Sequence, residues 1–475
     1  MGEIPTGVPN LDIVLRGGLP ESCLAVVAGG PGTGKATLVQ QIAYHHAAGG
    51  GRVLYVAALT EAHSTLVAHL QRFRFFDPAL LGESIKIINV FPVTRQGLGA
   101  VTSTILRALR YERAPFLVFD GFRSLRDMFS DVREVRAFAY ELAGTLSSIR
   151  ATALFTSEFS IAQIDSAPEA LVADTIIVLS SWWDGSRCRR TLDVVKMRAG
   201  AAIKGPHAFE IGPAGVELYP RLEAVYPGAA GPLPGGRSAW GIPELDAVLG
   251  GGVPRGSSTL LGGPTGIGKT TFALQFALAG TQAGEGCLYL TTAESEQRLA
   301  AKAEALELGL DDALGRGMVR VVPFPSMDCC PDRMAWQLSQ VAAEGAVRRV
   351  VIDGLEQVAA GVAPARGMRY FSALAVRLAE LGVTTLATAR VEGWHDLPAF
   401  ASAFDNVLLG RLVVEAGELR RFLMVTKMRD SAHDLALRQF SIGPGGIRLA
   451  PRGGGVGGWQ GPPDENQTRG SVLDG

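Results

Sequence analysis

Short apolar runs alternate along this chain with longer segments in which apolar residues recur at helical spacing. In the first half, the runs that we predict to be strands are LAVVA, RVLYV, IKIINV, FLVFD, ATALFT and DTIIVL. Runs that are apolar throughout, rather than at every second residue, are typical of parallel strands covered by helices on both faces. The pattern therefore predicts an α/β fold with a mostly parallel sheet.

The same order of segments occurs twice in the chain. The stretch TGVPNLD, which begins at Thr6, is matched by WGIPELD, which begins at Trp240. A repeat of this length predicts two copies of a whole domain and not a solenoid of short units. Equivalent residues stay 231 to 234 positions apart, as in Lys35 and Lys269, Tyr55 and Tyr289, Asp120 and Asp353, and Lys196 and Lys427.

Proline and glycine mark the boundary between the copies. The stretch YPGAAGPLPGGRS is typical of an exposed linker. The last residues of the chain have almost no apolar side chains, so we separate them from the second copy as a flexible tail. We predict a first domain over residues 1–222, a linker over 223–238, a second domain over 239–450 and a tail over 451–475.

Composition narrows the choice of function. Of the 475 residues, 47% are hydrophobic and 19% charged, so two sizeable cores can form. The net charge of -1 gives no general attraction to nucleic acid or to anionic membranes. The five cysteines are scattered and odd in number, and no apolar run is long enough to span a membrane. We therefore expect a cytoplasmic protein with reduced thiols and without a membrane anchor.

The second copy contains a phosphate-binding loop. GGPTGIGKT fits the pattern G-x4-G-K-[ST] between an apolar strand, STLLG, and a helical segment, TTFALQFALAG. We expect Lys269 to contact the β- and γ-phosphates of ATP and the hydroxyl of Thr270 to bind Mg²⁺. The predicted nucleotide contacts are Gly263, Pro264, Thr265, Gly266, Ile267, Gly268, Lys269, Thr270 and Thr271.

The first copy has the same loop without its metal-binding hydroxyl. Lys35 is present, but Ala36 stands where the hydroxyl residue belongs. Thr37 is adjacent, yet it projects from the helix about a hundred degrees away. We expect this copy to bind nucleotide and to position the metal less well. The predicted contacts are Gly29, Gly30, Pro31, Gly32, Thr33, Gly34, Lys35, Ala36 and Thr37.

Each copy also has an acidic residue at the end of a later buried strand. FLVFDG places Asp120 there, and RRVVIDG places Asp353. A carboxylate at this edge of a parallel sheet can hold the Mg²⁺ shell beside the phosphate loop, so both are predicted metal residues.

The candidate general bases are Glu61 in VLYVAALTEA and Glu294 in CLYLTTAESE, which follow the second strand of each copy. Each has a plainer explanation, as a carboxylate that stabilises the start of a helix.

A third shared feature comes late in each copy. VVKMRAG contains Lys196 and Arg198, and VTKMRDS contains Lys427 and Arg429. Alternation along a strand would place each lysine and arginine on one face, where the pair could reach the γ-phosphate of a neighbouring subunit. The alternatives are an edge strand with solvated charges and simple retention after duplication.

Together these residues resemble the KaiC family of RecA-like tandem ATPases, from TGVPNLD to IGPGGIRL. The duplication, the KMR tripeptides and the closing segments IGPAGVEL and IGPGGIRL are the features most specific to that family. The resemblance implies two tandem RecA-like P-loop NTPase domains in a homohexameric double ring, with ATP at the subunit interfaces. It also implies slow hydrolysis, with the four KMR cations acting in trans.

The resemblance further implies serine/threonine autophosphorylation in the C-terminal ring. The family's acceptors lie in a segment that reads FASAFDN here, so Ser402 is the candidate, although a plain helix-end serine would look the same. Family members usually carry two adjacent glutamates after the second strand, whereas this chain offers only Glu61 and Glu294. We therefore expect weak proton abstraction in both copies.

Three functions fit these features. The leading hypothesis is a KaiC-like signalling or clock-type ATPase that contacts protein partners. The second is a RecA-like or RadA-like DNA-dependent ATPase, for which the near-neutral charge is unfavourable. The third is a non-catalytic nucleotide-sensing scaffold, suggested by Ala36 and the missing glutamates. The arginines that would favour DNA binding are Arg123, Arg126, Arg366 and Arg369.

Overall fold

Two compact units make up the chain. In the computed structural model, contacts divide it into Met1–Val225 and Tyr226–Gly475, and each unit contains one copy of the repeat. The structure describes residues 2–57, 63–185, 187–198, 200–228, 231–324, 330–393, 396–415, 417–429 and 433–451.

The first unit alternates strands and helices as its apolar runs predict. Its strands are β1 (Glu3–Ile4), β2 (Leu19–Pro20), β3 (Leu24–Gly29), β4 (Val53–Ala57), β5 (Ile85–Asn89), β6 (Phe116–Asp120), β7 (Thr152–Ser157), β8 (Thr175–Asp184), β9 (Arg187–Met197), β10 (His207–Gly212) and β11 (Gly215–Tyr219). Its α-helices are α1 (Leu11–Leu15), α2 (Lys35–Ala48), α3 (His63–Leu70), α4 (Phe91–Thr94), α5 (Leu98–Glu112), α6 (Phe122–Arg126), α7 (Val132–Ser148), α8 (Pro168–Val172) and α9 (Leu222–Val225). Two 3-10 helices cover Pro78–Leu80 and Ile161–Ser166.

The described part of this unit contains a nine-stranded sheet in the order β11-β10-β9-β8-β3-β7-β6-β4-β5. The strands from β8 to β5 run parallel, and β9, β10 and β11 continue the sheet in antiparallel pairs. Strand β3, which leads into the phosphate loop, lies between β7 and β8. The carboxyl ends of the neighbouring parallel strands, with their polar residues, therefore lie beside the loop.

Continuous apolar strands are needed because both faces of the sheet are covered. Along β3, Ala25 and Val27 face one hydrophobic core together with α2. Leu24 and Val26 face the other core, with α5 and α7. Side chains alternate between the faces of a strand, so one polar residue in β3 would enter a core whichever way it pointed.

The second unit repeats this architecture. Its strands are β12 (Arg237–Ser238), β13 (Val253–Pro254), β14 (Ser258–Gly263), β15 (Gly286–Thr291), β16 (Val319–Pro323), β17 (Val347–Asp353), β18 (Thr384–Arg390), β19 (Asn406–Glu415), β20 (Glu418–Met428), β21 (Arg438–Gly443) and β22 (Gly446–Leu449). Its α-helices are α10 (Pro243–Val248), α11 (Lys269–Gln282), α12 (Glu296–Ala305), α13 (Leu310–Gly315), α14 (Pro331–Ala343), α15 (Leu355–Ala360) and α16 (Pro364–Glu380), and a 3-10 helix covers Ala399–Ala403.

The sheet of the second unit has the order β16-β15-β17-β18-β14-β19-β20-β21-β22 among the described residues. Read from the other end, this is the order of the first sheet, so the two tandem α/β domains predicted from the sequence are confirmed. Within the described ranges, no helix is both long and apolar enough to cross a membrane. Within those ranges Cys23, Cys188 and Cys287 form no disulfide, and Cys329 lies outside the described residues.

Candidate functional site

Both predicted phosphate loops join a central strand to a long helix. The first leaves β3 at Gly29 and enters α2 at Lys35. The second leaves β14 at Gly263 and enters α11 at Lys269. Each loop therefore lies where the carboxyl end of a parallel strand meets the positive end of a helix dipole, which is an arrangement that binds phosphate groups.

The last glycine of each loop is required by its surroundings. Gly34 has φ +101° and Gly268 has φ +112°, values that side chains rarely adopt. A Cβ atom on either would lie 2.5 Å from a Cδ1 atom, that of Ile211 or that of Ile442. These isoleucines belong to β10 and β21, at equivalent places in the two sheets. The same close packing thus shapes a phosphate cradle in both copies.

The loop lysines fold back over their own loops. Nζ of Lys35 donates to the carbonyl oxygens of Gly29 and Gly30 at 2.9 and 2.8 Å. Nζ of Lys269 donates to the equivalent carbonyls at 2.8 and 3.0 Å. Burial lowers the pKa of both lysines, and nearby carboxylates oppose that shift. Each ammonium group is therefore held where it can exchange a carbonyl for a phosphate oxygen.

The two loops differ at the residue after the lysine. Thr270 is half-buried at the second position of α11, and Ala36 occupies the equivalent place in α2. The nearby hydroxyls of the first copy do not replace the missing one. Thr33 donates its hydroxyl to the carbonyl of Gly30 at 2.8 Å, and Thr37 is buried in the helix. The expected inequality of the loops thus has a local structural basis.

Each strand-end aspartate is held by a tyrosine and a threonine. Oδ2 of Asp353 accepts from the hydroxyl of Tyr289 at 2.8 Å, and Oδ1 accepts from the hydroxyl of Thr388 at 2.5 Å. Asp120 has the same partners in the first copy, namely Tyr55 at 2.6 Å and Thr156 at 2.5 Å. Both carboxylates are thereby fixed in orientation at the carboxyl ends of β6 and β17.

The donor set fits a magnesium ion that nucleotide phosphates help to hold. Mg²⁺ is usually bound by one or two protein oxygens together with phosphates and water. Asp353 and Thr270 supply such oxygens, and each carboxylate oxygen of Asp353 keeps a free lone pair beside its hydrogen bond. Among the residues that the structure describes, no cluster of three His, Cys, Asp or Glu residues could hold a metal alone.

Of the two predicted general bases, Glu294 lies among the described residues. Oε1 of Glu294 lies 2.6 Å from Nζ of Lys302, on α12, and the backbone N–H of Glu294 donates to Thr291 Oγ1 at 3.0 Å. Lys302 therefore holds one oxygen of the carboxylate that is predicted to orient a water molecule. Glu61 lies outside the described residues, so its role stays a prediction.

The KMR cations lie at the far end of the sheet from the phosphate loop of their own unit. Lys427 pairs with Val407, which in turn pairs with Leu260 in β14. The loop begins only at Gly263, about 10 Å further along the strand. The first copy has the same arrangement, since Lys196 pairs with Ile176 near the start of β8.

The strands that carry these cations end one residue after each lysine. β9 ends at Met197 and β20 ends at Met428, so the arginines follow the strands and strand alternation does not place them. Among the described residues, β9 pairs with β10 at Thr191 and Leu192, and β20 pairs with β21 from Arg421 to Leu423, so this pairing does not extend to the lysines and the edge-strand alternative stays open.

An aspartate positions each arginine instead. The N–H groups of Arg198 and Arg429 donate to the carbonyl oxygens of Asp174 and Asp405. Their guanidinium groups lie 3.5 and 3.7 Å from the same aspartates' carboxylates.

Ser402 lies beside Lys427. The ammonium group of Lys427 donates to the carbonyl oxygens of Ser402 and Phe404, the first at 3.1 Å. The exposed hydroxyl of Ser402 donates to the carbonyl of Ala399 at 3.0 Å within the 3-10 helix. The candidate phosphoacceptor and the candidate trans cation therefore share one patch of surface.

Comparison with known proteins agrees with this duplicated fold. The model of the family described as "ATPase: KaiC" matches residues 4–223 and again residues 239–454. This chain belongs to the KaiC ATPase family. The circadian clock oscillator protein KaiC of Picosynechococcus is 26% identical over 94% of this chain and 89% of its own length. The protein KaiC 1 of Synechocystis is 26% identical over 93% and 87%, and KaiC of Parathermosynechococcus lividus is 25% identical over 94% and 84%.

Membership of the KaiC family makes this a nucleotide-binding protein with two ATPase domains. Sequence reasoning did not find the residues that hold its key aspartates and arginines. Tyr55 and Tyr289 were visible only as a repeated position inside apolar strands. Both Thr156 and Thr388 follow an apolar run at equivalent places, which is too common a pattern to stand out. The residues missed in this way are Tyr55, Thr156, Asp174, Tyr289, Thr388 and Asp405.

Proposed function

We propose that this chain is a slow ATPase that assembles into a homohexameric double ring and signals through its nucleotide state. Nucleotide would lie at the subunit interfaces, with the phosphate loop on one side and the KMR cations of the neighbour on the other. Contacts with protein partners would then depend on whether ATP or ADP is bound.

The observation that carries this proposal is the position of the KMR cations. Lys427 lies at the amino end of β14 and β19, whereas the loop of its own unit lies at the carboxyl end. Such a cation cannot reach the phosphates bound to its own loop. A heterologous contact between identical subunits places one end of a domain against the opposite end of the same domain in the next subunit. Repetition of that contact closes a ring. The cations would then act on a neighbour's nucleotide.

The second copy has the fuller set of groups for hydrolysis. Lys269 would bind the β- and γ-phosphates, and Thr270 and Asp353 would hold Mg²⁺. When bound, the ion would neutralise the charge on the phosphates. Glu294 would orient the water molecule after loosening its contact with Lys302. A base that is held by a lysine supports slow turnover.

The first copy is suited to holding nucleotide. Its loop, its lysine and Asp120 are built as in the second copy, but Ala36 offers no oxygen to a metal ion. We infer that nucleotide in this copy mainly stabilises the ring, while hydrolysis takes place mainly in the second copy.

Autophosphorylation of Ser402 is the finer part of the proposal. Its hydroxyl is exposed, and its carbonyl lies 3.1 Å from Nζ of Lys427. If Lys427 faces the γ-phosphate of a neighbour, Ser402 faces it too. The hydroxyl oxygen of Ser402 would then bond to the γ-phosphorus of the neighbour's ATP, the bond from that phosphorus to ADP would break, and the hydroxyl proton would pass to water.

Two measurements test the function directly. The doubly substituted chain Lys35→Ala/Lys269→Ala should lose ATP binding and should elute as smaller species than the parent in the presence of Mg-ATP. Mass spectrometry of the parent after incubation with Mg-ATP should detect ADP and phosphorylated Ser402. Undiminished ATP binding by the double variant would show that the loops are not the nucleotide sites. Release of ADP without phosphorylation of Ser402 would exclude only the proposed kinase activity.

A DNA-dependent ATPase is less well supported. Arg366 forms a bidentate pair with Asp332, with Nη2 to Oδ1 at 2.9 Å. Arg126 lies 3.3 Å from Glu169, whose side chain is fully buried. These arginines already have acidic neighbours, which weakens their attraction for phosphate groups. DNA binding that falls steeply as salt is raised would nevertheless favour this function over signalling.

A further inference from the structure

Two equivalent positions beside the phosphate loops carry opposite charges in the two copies. In the first sheet Ala28 pairs with Ser157, and in the second Gly262 pairs with Ala389. The residue after each partner is therefore at the same place, and it is Glu158 in the first copy but Arg390 in the second.

The second position follows the strand-end aspartate. Three residues after Asp120 the first copy has Arg123, and three residues after Asp353 the second copy has Glu356. Both are the second residue of a short helix, α6 or α15. In the first copy the helix position is thus an arginine and the position at the strand end is a glutamate. In the second copy the helix position is a glutamate and the position at the strand end is an arginine.

In the first copy this pair reaches the loop lysine. Oε1 of Glu158 lies 3.8 Å from Nζ of Lys35. Its Oε2 lies 3.8 Å from Nη1 of Arg123, which also donates to the carbonyl oxygen of Glu158 at 3.3 Å. Glu158 therefore bridges the loop lysine and the arginine.

In the second copy the pair is also adjacent to the loop. Arg390 pairs across strands with Gly263, the first residue of the loop, and its N–H donates to Oε2 of Glu356 at 3.3 Å. Its guanidinium Nε lies 2.6 Å from Oε1 of Glu392. Glu356 is the carboxylate that most strongly opposes the lowering of the pKa of Lys269 by burial. Carboxylate and arginine have exchanged positions, and both act on the pKa of Lys269.

These contacts are weak enough to be replaced by a nucleotide. The side chains of Arg123 and Arg390 are 47% and 62% exposed. Ion pairs this exposed contribute little to stability. A terminal phosphate is a stronger partner for arginine than a solvated carboxylate, because it offers several charged oxygens to the planar guanidinium. The same phosphate repels the carboxylate of the pair.

We propose that each pair recognises the terminal phosphate of nucleotide bound to its own loop. Arg123 in the first copy and Arg390 in the second contact the γ-phosphate. When that phosphate is absent, Glu158 bridges Arg123 and Lys35. In the second copy the guanidinium of Arg390 then stays with Glu392, and Glu356 accepts from the backbone N–H of Arg390. The pair therefore sets the preference of each site for ATP over ADP. This inference rests on the proposed nucleotide binding by both loops.

The exchange of charge between the copies supplies the test. In a Lys269→Ala background, which leaves the first site, Kd values for ATP and ADP are measured for the parent, Arg123→Glu and Glu158→Arg. Arg123→Glu should reduce the preference for ATP by about tenfold or more, as expected for loss of a charge-assisted hydrogen bond. Glu158→Arg should increase the preference.

The double reversal R123E/E158R recreates the charge order of the second copy. It should return the ATP/ADP preference to within about threefold of the parent, a difference small beside the tenfold effect of a single reversal. Arg110→Glu, an exposed change on α5, is the control and should leave the preference unchanged. A folding defect would weaken both nucleotides alike, so the ratio of their Kd values is not changed by it.

The same experiment with Arg390→Glu and Glu356→Arg, in a Lys35→Ala background, tests the second site. Unchanged ratios in all four single reversals, with nucleotide still bound, would overturn the inference and leave the proposed ATPase intact. Absence of binding of either nucleotide to the parent would overturn both. Opposite shifts in the two reversals of each pair, with restoration in the double variant, would establish the inference.

Discussion

The hydroxyl of Tyr289 donates a hydrogen bond to Oδ2 of Asp353 at 2.8 Å, and both side chains are buried. Burial and the neighbouring carboxylate raise the pKa of Tyr289 well above its usual value, so the hydroxyl keeps its proton and remains a donor. The carboxylate that we assign to the magnesium shell is thus oriented by the hydroxyl of Tyr289. Tyr55 and Asp120 repeat the relationship in the first copy.

Tyr289→Phe should therefore weaken metal binding as well as the fold. Loss of a hydrogen bond to a charged group should cost about 1.5–3 kcal/mol of unfolding free energy in the second unit. Partners that orient a metal ligand typically change metal affinity by about 10–100-fold, so the Mg²⁺ concentration needed for half-maximal ATP binding should rise by about that factor.

Tyr370→Phe is the matched control for that change. Tyr370 is equally buried in the same unit, and its hydroxyl donates to the carbonyl oxygen of Pro331 at 2.6 Å. This variant should lose stability without changing the Mg²⁺ requirement. If the two variants show the same Mg²⁺ dependence, Tyr289 does not position Asp353 for the metal.

His207 should make the stability of the first unit depend on pH. The ring is buried, its Nδ1 accepts from the N–H of Arg221 at 3.0 Å, and its Nε2 lies 3.0 Å from the carbonyl oxygen of Ile203. This pattern needs a neutral ring with its proton on Nε2. Burial lowers the pKa of His207; its contact with Ile203 opposes the shift, Arg221 adds to it, and Asp193 and Glu223 oppose it.

The sign of the effect follows from that lowered pKa. Above about pH 6.5 the ring is neutral in both states, and its contribution to stability is fully present. As pH falls below that value, the unfolded chain takes up a proton that the folded chain resists, so stability falls by at most about 1.4 kcal/mol per pH unit. In urea unfolding from pH 7.5 to 5, His207→Gln should show a shallower loss than the parent. Equal slopes would exclude His207 as the source.

The sequence predicted those features that depend on neighbouring residues along the chain. Each phosphate loop is a local pattern, and β3 is apolar throughout because both of its faces are buried. The contact between Glu294 and Lys302 could not be predicted, since it depends on how the strand end meets the start of α12. The exchange between positions 158 and 390 appears only once strand register shows that they are equivalent.

The distance of Lys427 from the phosphate loop could not be predicted from the sequence for the same reason. The tripeptide indicated a pair of cations, but their distance from the loop depends on the pairing of β14, β19 and β20. That pairing is set by contacts between segments far apart in sequence. The trans arrangement stays a proposal, and strand register supplies a physical reason for it.

Mixing two inactive variants should restore ATP hydrolysis if Lys427 acts across a subunit interface. Lys269→Ala removes the loop lysine and keeps the cation, and Lys427→Ala does the reverse. In randomly mixed rings, about a quarter of the interfaces would combine an intact loop with an intact cation, so about a quarter of the parental activity should return. Phosphate release is measured after the subunits have exchanged. No recovery in rings shown to be mixed would contradict action in trans.

Restoring one hydroxyl should make the first phosphate loop resemble the second. Ala36→Thr, in a Lys269→Ala background, places a hydroxyl at the position that Thr270 occupies in α11. A new metal ligand should tighten Mg-ATP binding by on the order of tenfold and should leave binding in EDTA unchanged.

Valine provides the matched control, because it has the branched shape of threonine without the oxygen. Ala36→Val should bind Mg-ATP no more tightly than the parent. Position 36 lies inside α2, which begins one residue earlier, so neither the threonine nor the valine side chain breaks a hydrogen bond of the loop. Thr270→Val in a Lys35→Ala background should show the converse loss. Equal Mg-ATP affinities for the threonine and valine variants would mean that the difference between the two copies lies elsewhere than in this hydroxyl.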